Sequence, residues 1–203
     1  MIIKNAEFIT SVANEKDFLS FEKPVIAVAG KSNVGKSSFI NMIANKNKLA
    51  KTSNTPGRTR LINYFDFNEF VLADLPGYGF AKVGKAEKEK WARLMEKYFE
   101  KSKIAHVLLL LDIRHKPTNE DLQMINYLYH YALPFTLVAT KADKLGKSKI
   151  KPELKTLANY LKVTENNVVG VSSVNRYGKE VVLDRIEHIV DVFNQGEYVE
   201  EEE

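Results

Sequence analysis

The chain contains no cysteine, which excludes disulfides, iron–sulfur clusters and thiolate zinc sites. Its four histidines are scattered, without metal-ligand spacing. Long apolar runs are missing too: a run such as residues 107–111 is far too short to span a bilayer. At the N-terminus the longest apolar run is residues 1–3, so no signal-peptide core follows the start. These absences predict a cytoplasmic protein with no membrane association. Repeats and low-complexity linkers are also lacking, and 10 glycines and 6 prolines rule out a collagenous chain. What remains is 203 residues, 44% hydrophobic and 28% charged, enough apolar material for one large core and hardly for two independent domains. The net charge is +4, but Glu197 and residues 200–203 place five acids in one tail, so the rest carries +9. A basic body suits a polyanionic partner, although a lysine-rich soluble surface has the same composition.

Continuous apolar runs at residues 24–30, 70–73, 104–111, 134–139 and 168–171 read as strands buried on both faces. Helical patterns lie between them at 36–45, 86–101, 118–131, 151–162 and 178–193. Thr118 and Asp121 resemble a capping box, followed by Leu122, Ile125 and Tyr129 on one face. Strands alternating with helices predict an α/β fold with a mostly parallel six-stranded sheet and helices on both faces, its ligands at the carboxyl ends of the strands. The link between residues 61–67 and 70–73 is only Asn68-Glu69, which fits a hairpin and makes one edge strand antiparallel. Expected boundaries are an N-terminal extension packed on the domain (1–23), the domain itself (24–195) and an acidic tail outside the fold (196–203).

Gly30, Lys31, Ser32, Asn33, Val34, Gly35, Lys36 and Ser37 spell G-x-x-x-x-G-K-S between a buried strand and a helix, where a phosphate-binding loop must sit. Its amides and the helix N-terminus meet phosphate oxygens, Lys36 neutralises them, and Ser37 can ligate magnesium. Asp74-Leu75-Pro76-Gly77 ends the next strand; alone it is a common turn, but here its carboxylate reaches the same sheet edge, placed to hold magnesium through water, with the Gly77 amide as a γ-phosphate sensor. Thr140-Lys141-Ala142-Asp143 follows another strand. A carboxylate at Asp143 can accept from both N1–H and the 2-amino group of guanine, donors that adenine lacks there, and the Lys141 stem can cover the base plane.

In this order the motifs resemble a P-loop GTPase with a Ras-like G domain, and more narrowly the EngB (YihA/YsxC) family of ribosome-assembly GTPases. The matching pieces are residues 30–38 through Ser38, the stretch 55–63, residues 74–79, Asp112-Ile-Arg114-His115 with residues 117–119, residues 140–143 and Val171-Ser172-Ser173. The resemblance implies that Gly57, Arg58, Thr59, Arg60 and Leu61 form a switch in which Thr59 joins Ser37 on Mg2+, and that Ser172 and Ser173 contact guanine. Residues alone do not choose Thr59 over Thr52 or Thr55. It further implies GTP/GDP binding, slow hydrolysis, and a role in assembly of the large ribosomal subunit, its rRNA or precursors, and thereby in growth and division. A monomer that binds neither DNA nor membrane is expected. Thr140 stands where such motifs usually have Asn, which predicts a weaker base contact.

Ras-like GTPases place a water-orienting Gln directly after the D-x-x-G glycine. This chain has Tyr78, and a phenol on a mobile loop cannot hold the attacking water as an amide does. Lys36, Thr59 and Gly77 make the expected catalytic set. Asn33 admits two readings: a ligand for K+, which would add charge between the α- and γ-phosphates, or a residue favoured in the loop turn. Asp112, Arg114 and His115 read more readily as a loop brace than as catalysts. Lysines and arginines crowd residues 46–60, 82–93 and 144–151, with Tyr78, Phe80 and Trp91 beside them to stack on bases or to pack. A nucleotide kinase, or an RNA-binding module with a structural nucleotide, are the competing functions; the first leaves the guanine-type T-K-x-D motif unexplained.

Overall fold

A computed structural model describes residues 1–51, 61–79 and 84–196, with Lys85 described in its backbone only. Its strands are β1 (Glu7–Val12), β2 (Val25–Gly30), β3 (Ile62–Asp66), β4 (Val71–Asp74), β5 (Ile104–Asp112), β6 (Phe135–Thr140) and β7 (Val168–Gly170). The helices are α1 (Lys36–Ala44), α2 (Lys85–Lys101), α3 (Asn119–His130), α4 (Lys147–Leu161) and α5 (Lys179–Asn194). One sheet runs in the order β1-β3-β4-β2-β5-β6-β7.

Apolar runs become central strands because both faces are covered. Along β2, β5 and β6, Ala27, Ala29, Leu109 and Leu137 enter a core closed by Met95 and Phe99 of α2, Leu128 of α3 and Leu157 of α4. Their neighbours Ile26, Val28, Leu108, Leu110 and Val138 enter a second core against Ile40 of α1 and Leu183 and Ile186 of α5. The period-two alternation of strand side chains thus feeds both layers at once.

The expected hairpin is present: β3 runs antiparallel to β4, and Asn68 turns the chain at φ 72°. The sheet, however, has seven strands and not six, and the antiparallel strand is not at the edge. Residues 7–12 of the expected N-terminal extension pair antiparallel with β3 and take the edge. Their burial pattern explains why the strand is hard to read: Val12 is buried, while Phe8 and Ile9 stand 53% and 40% exposed. The register also slips between Phe8 and Thr10, a bulge of the kind that blunts an edge strand. Helix α4 begins at Lys147, four residues before the expected start, and carries Pro152 in its interior. The capping box of α3 is as expected: the Thr118 N–H donates to Asp121 Oδ2 at 2.7 Å. The acidic tail from residue 197 on lies outside the described residues.

At the other end of the sheet, His106 of β5 is buried with Nε2 at 2.9 Å from Thr136 Oγ1. Burial, with Arg185 nearby, lowers its pKa to about 4. An unfolded histidine takes up its proton near its ordinary value, so between that value and about 4 the unfolded chain binds more protons. Stability is therefore greatest above the unfolded value and falls as the pH drops. Urea midpoints should show a loss of about 2 kcal/mol between pH 7 and pH 5 that the His106→Asn variant lacks. Parallel pH profiles of the two proteins would contradict this assignment.

Candidate functional site

The carboxyl ends of β2, β4, β5 and β6 meet along one edge, as parallel register demands: Val28 pairs with Asp74, Gly30 with Leu110, and Asp112 with Thr140. Gly30 must be glycine, because a Cβ there would lie 2.9 Å from Val34 Cγ1 and 3.0 Å from the Leu110 carbonyl oxygen. The chain then turns through Asn33 at φ 65° and Gly35 at φ 110° into α1. The first internal bond of that helix runs from Phe39 N–H to Gly35 O at 2.9 Å. The amides of Lys36, Ser37 and Ser38 precede it and are left for an anion. Asn33 is exposed and adopts the left-handed conformation its turn reading requires.

Asp74 closes the site from β4. Its side chain is buried, and among the described residues Oδ1 has no hydrogen-bond partner. Burial raises its pKa; the positive charge of Lys36 and a hydrogen bond from Asn63 act against that. A buried carboxylate with an orphan oxygen is a group that could hold a cation. Leu75 and Pro76 are buried beside it, and Gly77 lies over the lysine: a Cβ there would sit 3.2 Å from Lys36 Nζ.

The end of β6 supplies the other half. Thr140 Oγ1 lies 2.7 Å from the Val34 carbonyl and 3.1 Å from that of Leu111, so its hydroxyl ties the phosphate loop down. Lys141 donates from Nζ to Asn33 O at 2.9 Å and pairs with Asp112 Oδ2 at 2.9 Å. Arg114 grips the same carboxylate, Nε to Oδ1 at 2.9 Å and Nη2 to Oδ2 at 2.7 Å. Burial works against the charge of Asp112, but Arg114 and Lys141 outweigh it and hold the carboxyl well below the usual range. Asp112 and Arg114 are thus a brace for Lys141, with His115 exposed next to them.

Ala142 is buried and its amide donates to Val171 O at 3.0 Å. Asp143 accepts from Ser172 Oγ at 2.7 Å, and that bond lowers its pKa. Ser172 Oγ in turn accepts from the Val174 amide at 3.2 Å and the Asn175 amide at 3.4 Å, while Ser173 is half-buried alongside. The carboxylate is therefore held ionised and in a fixed orientation.

Some expectations change. Tyr78 does not ride free on a loop: it is buried, and its hydroxyl donates to Asp121 Oδ1 at 2.7 Å. Trp91 packs against it and donates from Nε1 to Pro76 O at 3.0 Å, so neither ring is spread for a base. Lys31 reaches away from the phosphate cradle to Glu120 at 3.8 Å, and Lys46 donates to Ala6 O at 2.6 Å. Sequence reasoning missed Asp121 as the partner of Tyr78, because its capping role already accounts for it. Thr52, Thr55, Gly57, Arg58, Thr59, Arg60, Phe80 and Lys82 fall outside the described residues; Leu61 leads into β3.

Residues 25–141 match the family model of the 50S ribosome-binding GTPase. A probable GTP-binding protein EngB of Clostridium kluyveri is 45% identical over 96% of this chain and 100% of its own length. That of Mycoplasma capricolum is 46% identical over 86% and 91%. Among solved structures, a probable GTP-binding protein EngB superposes with TM-score 0.67 at 22% identity, over 82% of this chain and 98% of that one. Era in complex with MgGDPNP and a segment of 16S ribosomal RNA gives TM-score 0.63 at 22% identity, over 80% and 55%. With the phosphate loop, the buried Asp74 and the Asp143–Ser172 pair at one sheet edge, and relatives matching over nearly the whole length, the chain belongs to the EngB family of GTP-binding proteins.

Proposed function

We infer that this GTPase is a nucleotide-state switch that binds GTP with Mg2+, hydrolyses it slowly, and acts in the cytoplasm, as a monomer, in assembly of the large ribosomal subunit. The observation that carries the reading is the single sheet edge on which Lys36, Asp74, Gly77 and the Asp143–Ser172 pair converge. Lys36 and the α1 amides bind phosphates, Asp143 reads guanine, and Gly77 senses a third phosphate. Asp74 and Ser37, with Thr59, are the residues that would hold Mg2+, whose charge offsets that of the β- and γ-phosphates. The orphan oxygen of Asp74 supports this donor set. The phenol of Tyr78 is spent on Asp121, so the chain offers no amide at that position to orient water, and hydrolysis is slow until a partner or a loop residue completes the site. A body carrying +9 outside the tail suits rRNA, and no helix among the described residues is long and apolar enough to cross a membrane.

Three outcomes test this reading. By calorimetry GTP should bind at least about a hundredfold tighter than ATP, since two charge-assisted hydrogen bonds to Asp143 are at stake, and Asp143→Asn should shift preference to xanthine nucleotides. Comparable ATP and GTP affinities would remove the guanine assignment. In the nucleotide-free chain Asp74→Asn lifts a burial penalty, so it should melt higher, by about 2–4 °C for each kcal/mol regained. The same variant should lose the gain in GTP affinity that Mg2+ gives the parent; a variant that keeps that gain would free Asp74 from the metal. Large ribosomal subunits should cosediment with the chain in a GTP analogue and release it in GDP. Equal binding in both would favour an RNA-binding module with a structural nucleotide.

A further inference from the structure

The segment after β4 is shut onto the phosphate loop. Tyr78 forms an isolated parallel bridge with Lys31. Its carbonyl accepts from the Ser32 N–H at 2.9 Å and from Ser32 Oγ at 3.1 Å. A phosphate loop grips its ligand with such donors, and here both donors of Ser32 are spent on a carbonyl oxygen. Gly77 crowds the same place, where a Cβ would lie 3.0 Å from Ser32 Oγ and 3.2 Å from Lys36 Nζ. A terminal phosphate oxygen is negatively charged and cannot share these donors with a carbonyl. Seating a third phosphate beside Ser32 and Lys36 therefore requires residues 76–79 to draw back.

What resists that movement lies on the opposite side of the segment. The buried phenol of Tyr78 donates to Asp121 Oδ1 at 2.7 Å. Asp121 Oδ2 is itself fixed by the Thr118 N–H at 2.7 Å and Thr118 Oγ1 at 2.9 Å, so the acceptor cannot follow. The Trp91 ring meets that of Tyr78 edge-on at 6.0 Å, and its N–H holds the Pro76 carbonyl. Beside this pair, among the described residues, Tyr78, Trp91, Met124 and Tyr127 line a cavity of about 660 Å³, which gives the phenol somewhere to turn.

We propose that Tyr78 is a latch that sets the preference between di- and triphosphate: its hydroxyl bond to Asp121 holds the D-x-x-G segment closed on Ser32, and a γ-phosphate must break that hold to bind. Tyr78 touches no reacting atom in this role; it positions Gly77 and Ser32. The inference rests on the phosphate-loop reading of residues 30–37.

The test uses the full chain with Mg2+, GDP and a non-hydrolysable GTP analogue. Trp91 is the only tryptophan, so its emission reports the segment directly. In the parent, the analogue should change that emission while GDP leaves it near the nucleotide-free value. Tyr78→Phe keeps the ring and removes the donor, so calorimetry should show the affinity for the analogue rising about three- to tenfold relative to GDP. Tyr127→Phe, on the same cavity, should leave the ratio unchanged. An unchanged ratio in Tyr78→Phe, with both nucleotides still bound, overturns the latch and leaves the nucleotide site standing. If that variant does not fold, the parent decides: equal Trp91 emission with GDP and analogue overturns the latch. Failure of the parent to bind either nucleotide would overturn the site reading and the latch together.

Discussion

The site depends on how closely the phosphate loop is pressed into the sheet. A Cβ at Gly30 would crowd both Val34 and the β5 backbone, and the Thr140 hydroxyl holds Val34 from β6. Strand and loop are thereby tied to the strands that carry Asp112 and Thr140. Lys141 adds a second tie through the Asn33 carbonyl. The end of β6 and the phosphate loop are thus joined through backbone acceptors of the loop. A loop held this way loses little freedom when a ligand arrives, which lowers the entropic cost of binding. The tie at Thr140 is made by a hydroxyl, which reaches both the Val34 and the Leu111 carbonyls.

Three aspartates at this edge have three different electrostatic settings. Asp112 and Asp143 are held ionised, the one by Arg114 and Lys141 and the other by Ser172. Asp74 is different: burial raises its pKa, and Lys36 only partly compensates. A carboxylate buried without a full partner is costly to keep charged. The difference follows from burial and from the partners each carboxylate finds, not from residue type.

Much of this was legible in the sequence because it is encoded locally. Strands covered on both faces leave unbroken apolar runs, and a phosphate loop needs its glycines and lysine at fixed spacing. The seventh strand left no such trace, since β1 buries mainly Val12 and exposes Phe8 and Ile9 at the sheet edge. Pro152 hid the first turn of α4 for the opposite reason: a helix-breaking residue sits inside a helix held by tertiary packing. Charge was the least legible. Lys46 counts as basic surface in the sequence, yet it is turned to the Ala6 carbonyl within the fold, and Lys31, read as part of the phosphate loop, is turned to Glu120. The Tyr78–Asp121 bond joins residues 43 positions apart, and neither has a sequence signature for it.

Position 78 carries the broadest consequence. A glutamine there would serve the attacking water, whereas the tyrosine serves the fold, with its ring buried against Trp91 and its hydroxyl on α3. A buried, hydrogen-bonded side chain cannot at the same time be presented to solvent at the reaction centre, so packing here excludes one catalytic role outright. The same contacts give the D-x-x-G segment a defined closed state on Ser32, and a switch needs two discrete states more than it needs speed. The position where a glutamine would serve the attacking water is thus occupied by a tyrosine that holds the segment instead.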